Sequence, residues 1–150
     1  MVKPVVILDA TPLGILANSN PRPNVVACRR WLAGLRAAGR RVVVPEIADY
    51  EVRRELIRIN STRGLSNLDW YGQQLDYLPL TTDSMRKAAE LWALARQQGQ
   101  PTGPNQTLDA DVILAAQTLL LGVADVVVAI SNVRHLARFV AAELWQNIQP

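Results

Sequence analysis

Val5-Val6-Ile7-Leu8-Asp9, followed by Ala10-Thr11-Pro12-Leu13-Gly14, is the stretch around which the chain is organised. Its unbroken apolar run, rich in β-branched residues, reads as a strand buried on both faces of a parallel sheet. The run stops at Asp9, where turn chemistry begins. In open α/β sheets, ligands bind outside the carboxyl ends of the strands, near the point where strand order reverses. A carboxylate there is well sited for chemistry. Capping explains Asp9 equally well when it is taken alone, because Asp favours turns and helix starts. The functional reading therefore depends on other acids reaching equivalent places.

Two more runs have the same character, Val42-Val43-Val44 and Val126-Val127-Val128-Ala129-Ile130. Between the first two runs, Asn18 to Asn24 is rich in turn residues and reads as a loop. A helix from Val25 to Ala38 follows, with Val25, Cys28, Leu32 and Leu35 at helical spacing. Another helix is expected from Glu46 to Ile59, then a break at Arg63-Gly64 and a short helix from Asn67 to Leu75. Tyr77 to Leu80 reads as an extended edge segment, since Pro79 excludes a central strand. Thr81 or Thr82 caps a helix running to Gln98, whose apolar stripe is Met85, Ala88, Ala89, Trp92 and Ala95. Trp70, Tyr71 and Trp92 read as core residues.

Gln100 to Thr107 is a polar loop, and Leu108 opens a helix ending at Gly122. A short helix carrying Arg134, His135, Arg138 and Phe139 follows the last run, and Ala142 to Ile148 is an edge element. Strands alternating with helices give a three-layer α/β/α fold with a mainly parallel twisted sheet flanked by helices. Residues 1–150 are expected to form one domain.

Composition narrows the class. At 150 residues and 49% hydrophobic content, the chain can bury a substantial core without staples. No apolar run reaches the roughly 18 residues of a membrane span. The start, Met1-Val2-Lys3-Pro4, has no charged-then-apolar leader pattern, so a cytoplasmic protein is expected. The single Cys28 reads as a reduced packing residue. The net charge is +3, and Lys3 and Lys87 are the only lysines. Arginine suits bidentate phosphate recognition, so the excess fits a nucleic-acid partner, although solvated helix faces account for it as well.

Acids and amides then gather at the strand ends. Glu51 and Glu55 stack one turn apart on their helix, and the nearby Arg53, Arg54 and Arg58 are available to offset their repulsion. Periodicity alone leaves Glu51 open between a salt-bridged helix surface and an inward-facing ligand. Asp109 and Asp111 lie two apart and so point in different directions. Asp111 is followed by Ile113-Leu114-Ala115-Ala116, which places it in buried surroundings. Ser131-Asn132 stands to its strand as Asp9 stands to the first.

Asp9, Glu51, Asp111 and Asn132, with Asp109 nearby, are oxygen donors of the kind taken by Mg²⁺ or Mn²⁺. There is no Cys/His set for zinc, no Walker A motif, no GxGxxG and no nucleophile elbow, and the lone His135 is left unassigned. Clustered carboxylates, a divalent ion and a basic surface suit phosphodiester hydrolysis.

At these residues the chain resembles the PIN-domain nucleases, specifically the VapC-type toxins. The matching pieces are Val6-Ile7-Leu8-Asp9 with Thr11, Val44-Pro45 through Tyr50-Glu51, Asp111 through Ala116, and Val128 through Leu136. The resemblance implies metal-dependent RNA cleavage, a homodimer and an antitoxin partner that inserts into the site. It makes Asp9, Glu51 and Asp111 the core metal-binding acids. It sets Asn132 where many members carry a fourth acid or an Asn, and Thr11 at the usual hydroxyl position, with Ser131 in support. Asp109 is an additional acid. Two alternatives stand beside the toxin: an RNA-processing nuclease, and a non-catalytic binding module that keeps the fold.

Overall fold

Residues 3–99, 105–131 and 135–150 are described by a computed structural model of the chain. Five strands form one sheet in the order β3-β2-β1-β4-β5. They are β1 (Val5–Leu8), β2 (Val42–Pro45), β3 (Asp76–Leu78), β4 (Val126–Ile130) and β5 (Ala142–Leu144). Every pairing is parallel, with Ile7 in register with Val43 on one side and Val128 on the other. The order reverses between β1 and β4, so a switch point opens beside the carboxyl end of β1.

Alternation along the central strands divides the core in two. Val6, Leu8, Val42, Val44 and Ala129 pack beneath α1 (Ala10–Ala17), α2 (Pro23–Ala37) and α4 (Thr62–Gln74). Val5, Ile7, Val43, Val128 and Ile130 pack beneath α5 (Thr82–Gln97) and α6 (Asn105–Leu119). Burying one such side chain contributes about 1.5–3 kcal/mol, and β1 buries four in succession. The remaining helix, α3 (Glu46–Arg58), belongs to both layers. The expected three-layer α/β/α arrangement is therefore the observed one.

Several local expectations are corrected. The stretch after Asp9 forms α1, where a turn was expected. Pro12 sits in its first turn, where the missing N–H has no intrahelical role. Leu13, Leu16 and Ala17 supply its buried face. Arg63-Gly64 is not a break but the first turn of α4, with Ser61 Oγ accepting from the Gly64 N–H at 3.1 Å. A Cβ there would lie 2.7 Å from Leu56 Cδ2 and from Ser61 Oγ, so an added methyl would displace these side chains.

In α5, Thr81 and Ser84 form a reciprocal capping box. The buried face is Ser84, Ala88, Leu91 and Ala95, so Met85 and Trp92 of the expected stripe are exposed. Helix α6 starts at Asn105, before the expected Leu108. The helix expected around residues 134–139 is a 3₁₀ turn over His135–Arg138. At the C-terminus, Trp145 packs on Trp31, whose Nε1 donates to the Ile148 carbonyl at 3.0 Å. Among the described residues, no helix is long and apolar enough to cross a membrane.

Candidate active site

Asp9 follows β1 directly and is only 6% exposed. Its N–H donates to the Ala129 carbonyl at 3.1 Å, which carries the β1–β4 ladder up to the switch point. Its Oδ1 accepts from the Ala10 N–H at 2.8 Å and caps α1. The capping role weighed in the sequence is therefore real, and it fixes the carboxylate at the sheet edge. The backbone at Asp9 is still extended (φ −71°, ψ 165°), so the alternation that sends Val5 and Ile7 toward α6 continues to Asp9.

Ser131 ends the neighbouring strand β4. Its Oγ is buried with no hydrogen-bond partner among the described residues. Asn132 lies outside the described residues.

Glu51 reaches the same edge from α3. This helix begins immediately after β2, with Pro45 at its N-cap. Ile47 packs into the α5–α6 layer, while Ala48 and Val52 pack into the other. The helix therefore lies across the carboxyl end of the sheet and touches both α1 and α6. Glu51, one turn beyond Ile47, is 23% exposed and stands 3.9 Å from Arg54.

Glu51 borders two clefts. One, of about 470 Å³, runs along α1 and includes Thr11, Asn18 and Glu55. The other, of about 210 Å³, is shared with Ile47, Tyr50 and Asp109. Thr11 and Asp109 thus each share a cleft with Glu51. Asp111 is 5% exposed on α6, whereas Asp109 is exposed, so the two acids have the different surroundings expected of them.

The stacked acids of α3 are offset as their spacing allows. Arg54 faces Glu51 and Arg58 binds Glu55. The Arg58 hydrogen bond holds the exposed Glu55 carboxyl below its usual range. Arg53 does something else. It grips Asp49 at 2.8 and 3.2 Å and reaches Asp69 on α4 at 2.7 Å. These bonds, that to Asp49 first, raise its proton affinity further above arginine's usual value.

Asp49 is one acid among several on α3 when the residues alone are read. The spacing Asp49–Arg53 was the available signal. A second buried polar anchor was also missed: Gln117 accepts from the Ile47 N–H at 3.3 Å and donates to the Leu78 carbonyl at 2.9 Å. Together these contacts set the orientation from which Glu51 projects.

The resemblance implies a divalent metal ion. The candidate donors are carboxylate oxygens, and Asp9 and Asp111 are almost completely withdrawn from water. Carboxylate oxygens are hard donors, so the donor chemistry fits Mg²⁺ or Mn²⁺. Among the described residues, no three His, Cys, Asp or Glu side chains are gathered closely enough to ligate one ion. A small hard ion that takes one or two carboxylates and retains several waters is compatible with such an open set.

A parallel sheet of order β3-β2-β1-β4-β5, with Asp9 at its switch point, defines the class by fold, and that fold is the one seen in VapC PIN-domain structures. One similar structure is the VapBC2 complex of Rickettsia felis bound to a promoter DNA fragment. It has a TM-score of 0.72 at 16% identity, over 94% of this chain and 98% of that one. Another is DNA-bound VapBC of Salmonella typhimurium, with a TM-score of 0.63 at 20% identity over 97% and 99% of the two chains. VapC20 of Mycobacterium tuberculosis, a toxin that cleaves the sarcin-ricin loop, matches at 0.63 and 15% identity over 97% and 99%. No family profile matches the sequence, and no curated protein matches it.

Proposed function

We propose that this protein is a metal-dependent endoribonuclease and the toxin of a toxin–antitoxin pair. The observation that carries the proposal is the nearly buried Asp9 carboxylate at the switch point of a VapC-like sheet, with Glu51 on the helix that follows the neighbouring strand. Asp9, Glu51 and Asp111 would hold Mg²⁺ or Mn²⁺, one or two of them directly and the rest through the ion's waters, with Asp109 and Asn132 as proposed outer oxygen donors. The bound ion would activate water and stabilise charge on the phosphate.

The chain's own residues do the positioning. The α1 cap fixes the Asp9 carboxylate, and α3, anchored through Ile47 and Arg53, presents Glu51 to the clefts on either side. Thr11 lines the larger cleft and offers a hydroxyl to substrate, with Ser131 in support from β4.

The similar VapBC structures support an antitoxin protein as partner, and the proposal includes a cytoplasmic homodimer. The test is cleavage of a pool of structured and single-stranded RNA by purified protein, with Mn²⁺, with Mg²⁺ and with EDTA, beside Asp9→Asn. Metal-dependent cleavage that disappears in the variant is the expected result. Folded, antitoxin-free protein that cleaves no RNA with either metal would refute the enzyme.

A further inference from the structure

The groove along α1 does not end at Asn18. Beyond it, Ser19 lines a second cleft, of about 410 Å³, between α2 and α4. Its walls include Arg29, Arg63, Asn67 and Trp70. The volume is that of a small-ligand site. The lining holds two guanidinium groups and no acid. We propose that this cleft binds one unpaired nucleotide of the RNA, with its base stacked on Trp70 and its phosphate facing Arg63. This rests on the ribonuclease reading and extends it to a site outside the carboxylates.

Four features carry the inference. Trp70 is 49% exposed although it belongs to a well-packed helix. Its ring is held edge-on against the buried Tyr71, with centroids 5.0 Å apart and planes at 82°, which makes it a firm plate rather than a loose side chain. An aromatic face of this kind stacks any base, and single-strand binders pair such plates with cationic grooves.

Arg63 makes no ion pair with any described residue, and it occupies the first turn of α4, where the helix dipole disfavours a cation. An anion at that place satisfies both. Arg29 is already committed, donating to the Leu16 and Asn18 carbonyls at 2.7–3.2 Å, so it supplies fixed positive charge. The neighbouring Asp69 is turned to Arg53, which it meets at 2.7 Å and shares with Asp49, and it does not line the cleft.

The two clefts are bordered by the consecutive residues Asn18 and Ser19, just beyond α1, whose eight residues span about 12 Å. A strand whose scissile phosphate lies near Thr11 and Glu51 therefore reaches Trp70 within a short run of nucleotides. An exposed aromatic plate in a cleft with two guanidinium groups and no acid suits a base and its phosphate, so RNA is the occupant the chemistry favours.

The test uses the full chain and a labelled single-stranded oligoribonucleotide of mixed sequence, with binding read by anisotropy and cleavage by kcat and KM. Trp70→Ala is expected to weaken binding about tenfold. KM should rise while kcat on saturating RNA is retained, and Trp70→Phe should restore most of the affinity. Arg63→Ala should lower affinity and reduce the salt slope by about 0.7.

Wild-type protein that binds and cleaves, beside a folded Trp70→Ala with unchanged affinity and KM, would overturn the subsite alone. Trp70→Ala that keeps RNA affinity but loses the antitoxin would assign the cleft to protein and overturn it too. Wild-type protein that neither binds nor cleaves RNA removes the ribonuclease reading, and the subsite with it.

Discussion

Replacing Arg53 by Met tests whether α3 is held in place by a buried charge. Met keeps the apolar stem and removes the guanidinium. Asp49 has a side chain only 9% exposed and loses both of its charge-assisted hydrogen bonds, at 2.8 and 3.2 Å. Removing one partner of a fully buried pair costs about 3–5 kcal/mol. Here the Arg53 side chain is 36% exposed, so water reaches part of the pair and the cost falls to about 2 kcal/mol. The leg to the exposed Asp69 adds a fraction of a kcal/mol at most.

The expected loss of about 2 kcal/mol corresponds to a fall in Tm of about 4–8 °C for a chain of this length. Urea denaturation at neutral pH measures it directly. Asp49→Asn in the Arg53→Met background removes the stranded charge and should recover about half of the loss. A single variant within about 0.5 kcal/mol of wild type, or strictly additive effects of the two substitutions, would refute the reasoning.

Two further outcomes follow from buried groups away from the carboxylates. Burial pushes the Cys28 thiol up to about 12, with Arg29 opposing weakly, so it should react with a disulfide reagent at pH 8 far more slowly than in urea. The unfolded thiol ionises first as pH rises from its ordinary 9.0, so its contribution to stability is complete below pH 9 and is lost toward pH 12. Cys28→Ala should flatten that decline, and an unchanged decline would contradict the assignment. Gly64→Ala gains about 1 kcal/mol of helix propensity but drives a methyl into Leu56 and the Ser61 cap, for a net loss of about 1 kcal/mol in urea titration. Equal or higher stability would contradict the close approach.

The central strands were legible because a strand buried on both faces has no polar alternation to confuse it, as Val5 to Leu8 and Val126 to Ile130 show. Helix α1 was not legible. It is short, and Pro12 and Gly14 mimic a turn until the Asp9 cap is seen. Ala88 and Ala95 fit either of two stripes on α5, and only packing against the sheet selects Leu91 over Met85 and Trp92. Trp70, expected in the core, faces water beside Tyr71, which does lie there.

The site divides along the same lines. Asp9 was marked by the end of its strand, and Asp111 by the small apolar residues that follow it. Glu51 stayed ambiguous because α3 straddles two layers and carries no single apolar face. Asp49 was one acid among several on that helix until Arg53 was seen to close on it.

Direct titration of Mn²⁺, followed by the loss of its free electron paramagnetic resonance signal, tests the central claim most closely. Wild-type protein should take up the ion with measurable affinity. Asp9→Asn and Asp111→Asn, each shown folded, should lose most of that binding, while Asp76→Asn at the far edge strand should keep it. Saturating Mn²⁺ should raise the wild-type Tm and leave that of Asp9→Asn unmoved. Undetectable binding in the wild type, or equal binding in the wild type and both strand-end variants, would contradict a metal centre built on these carboxylates.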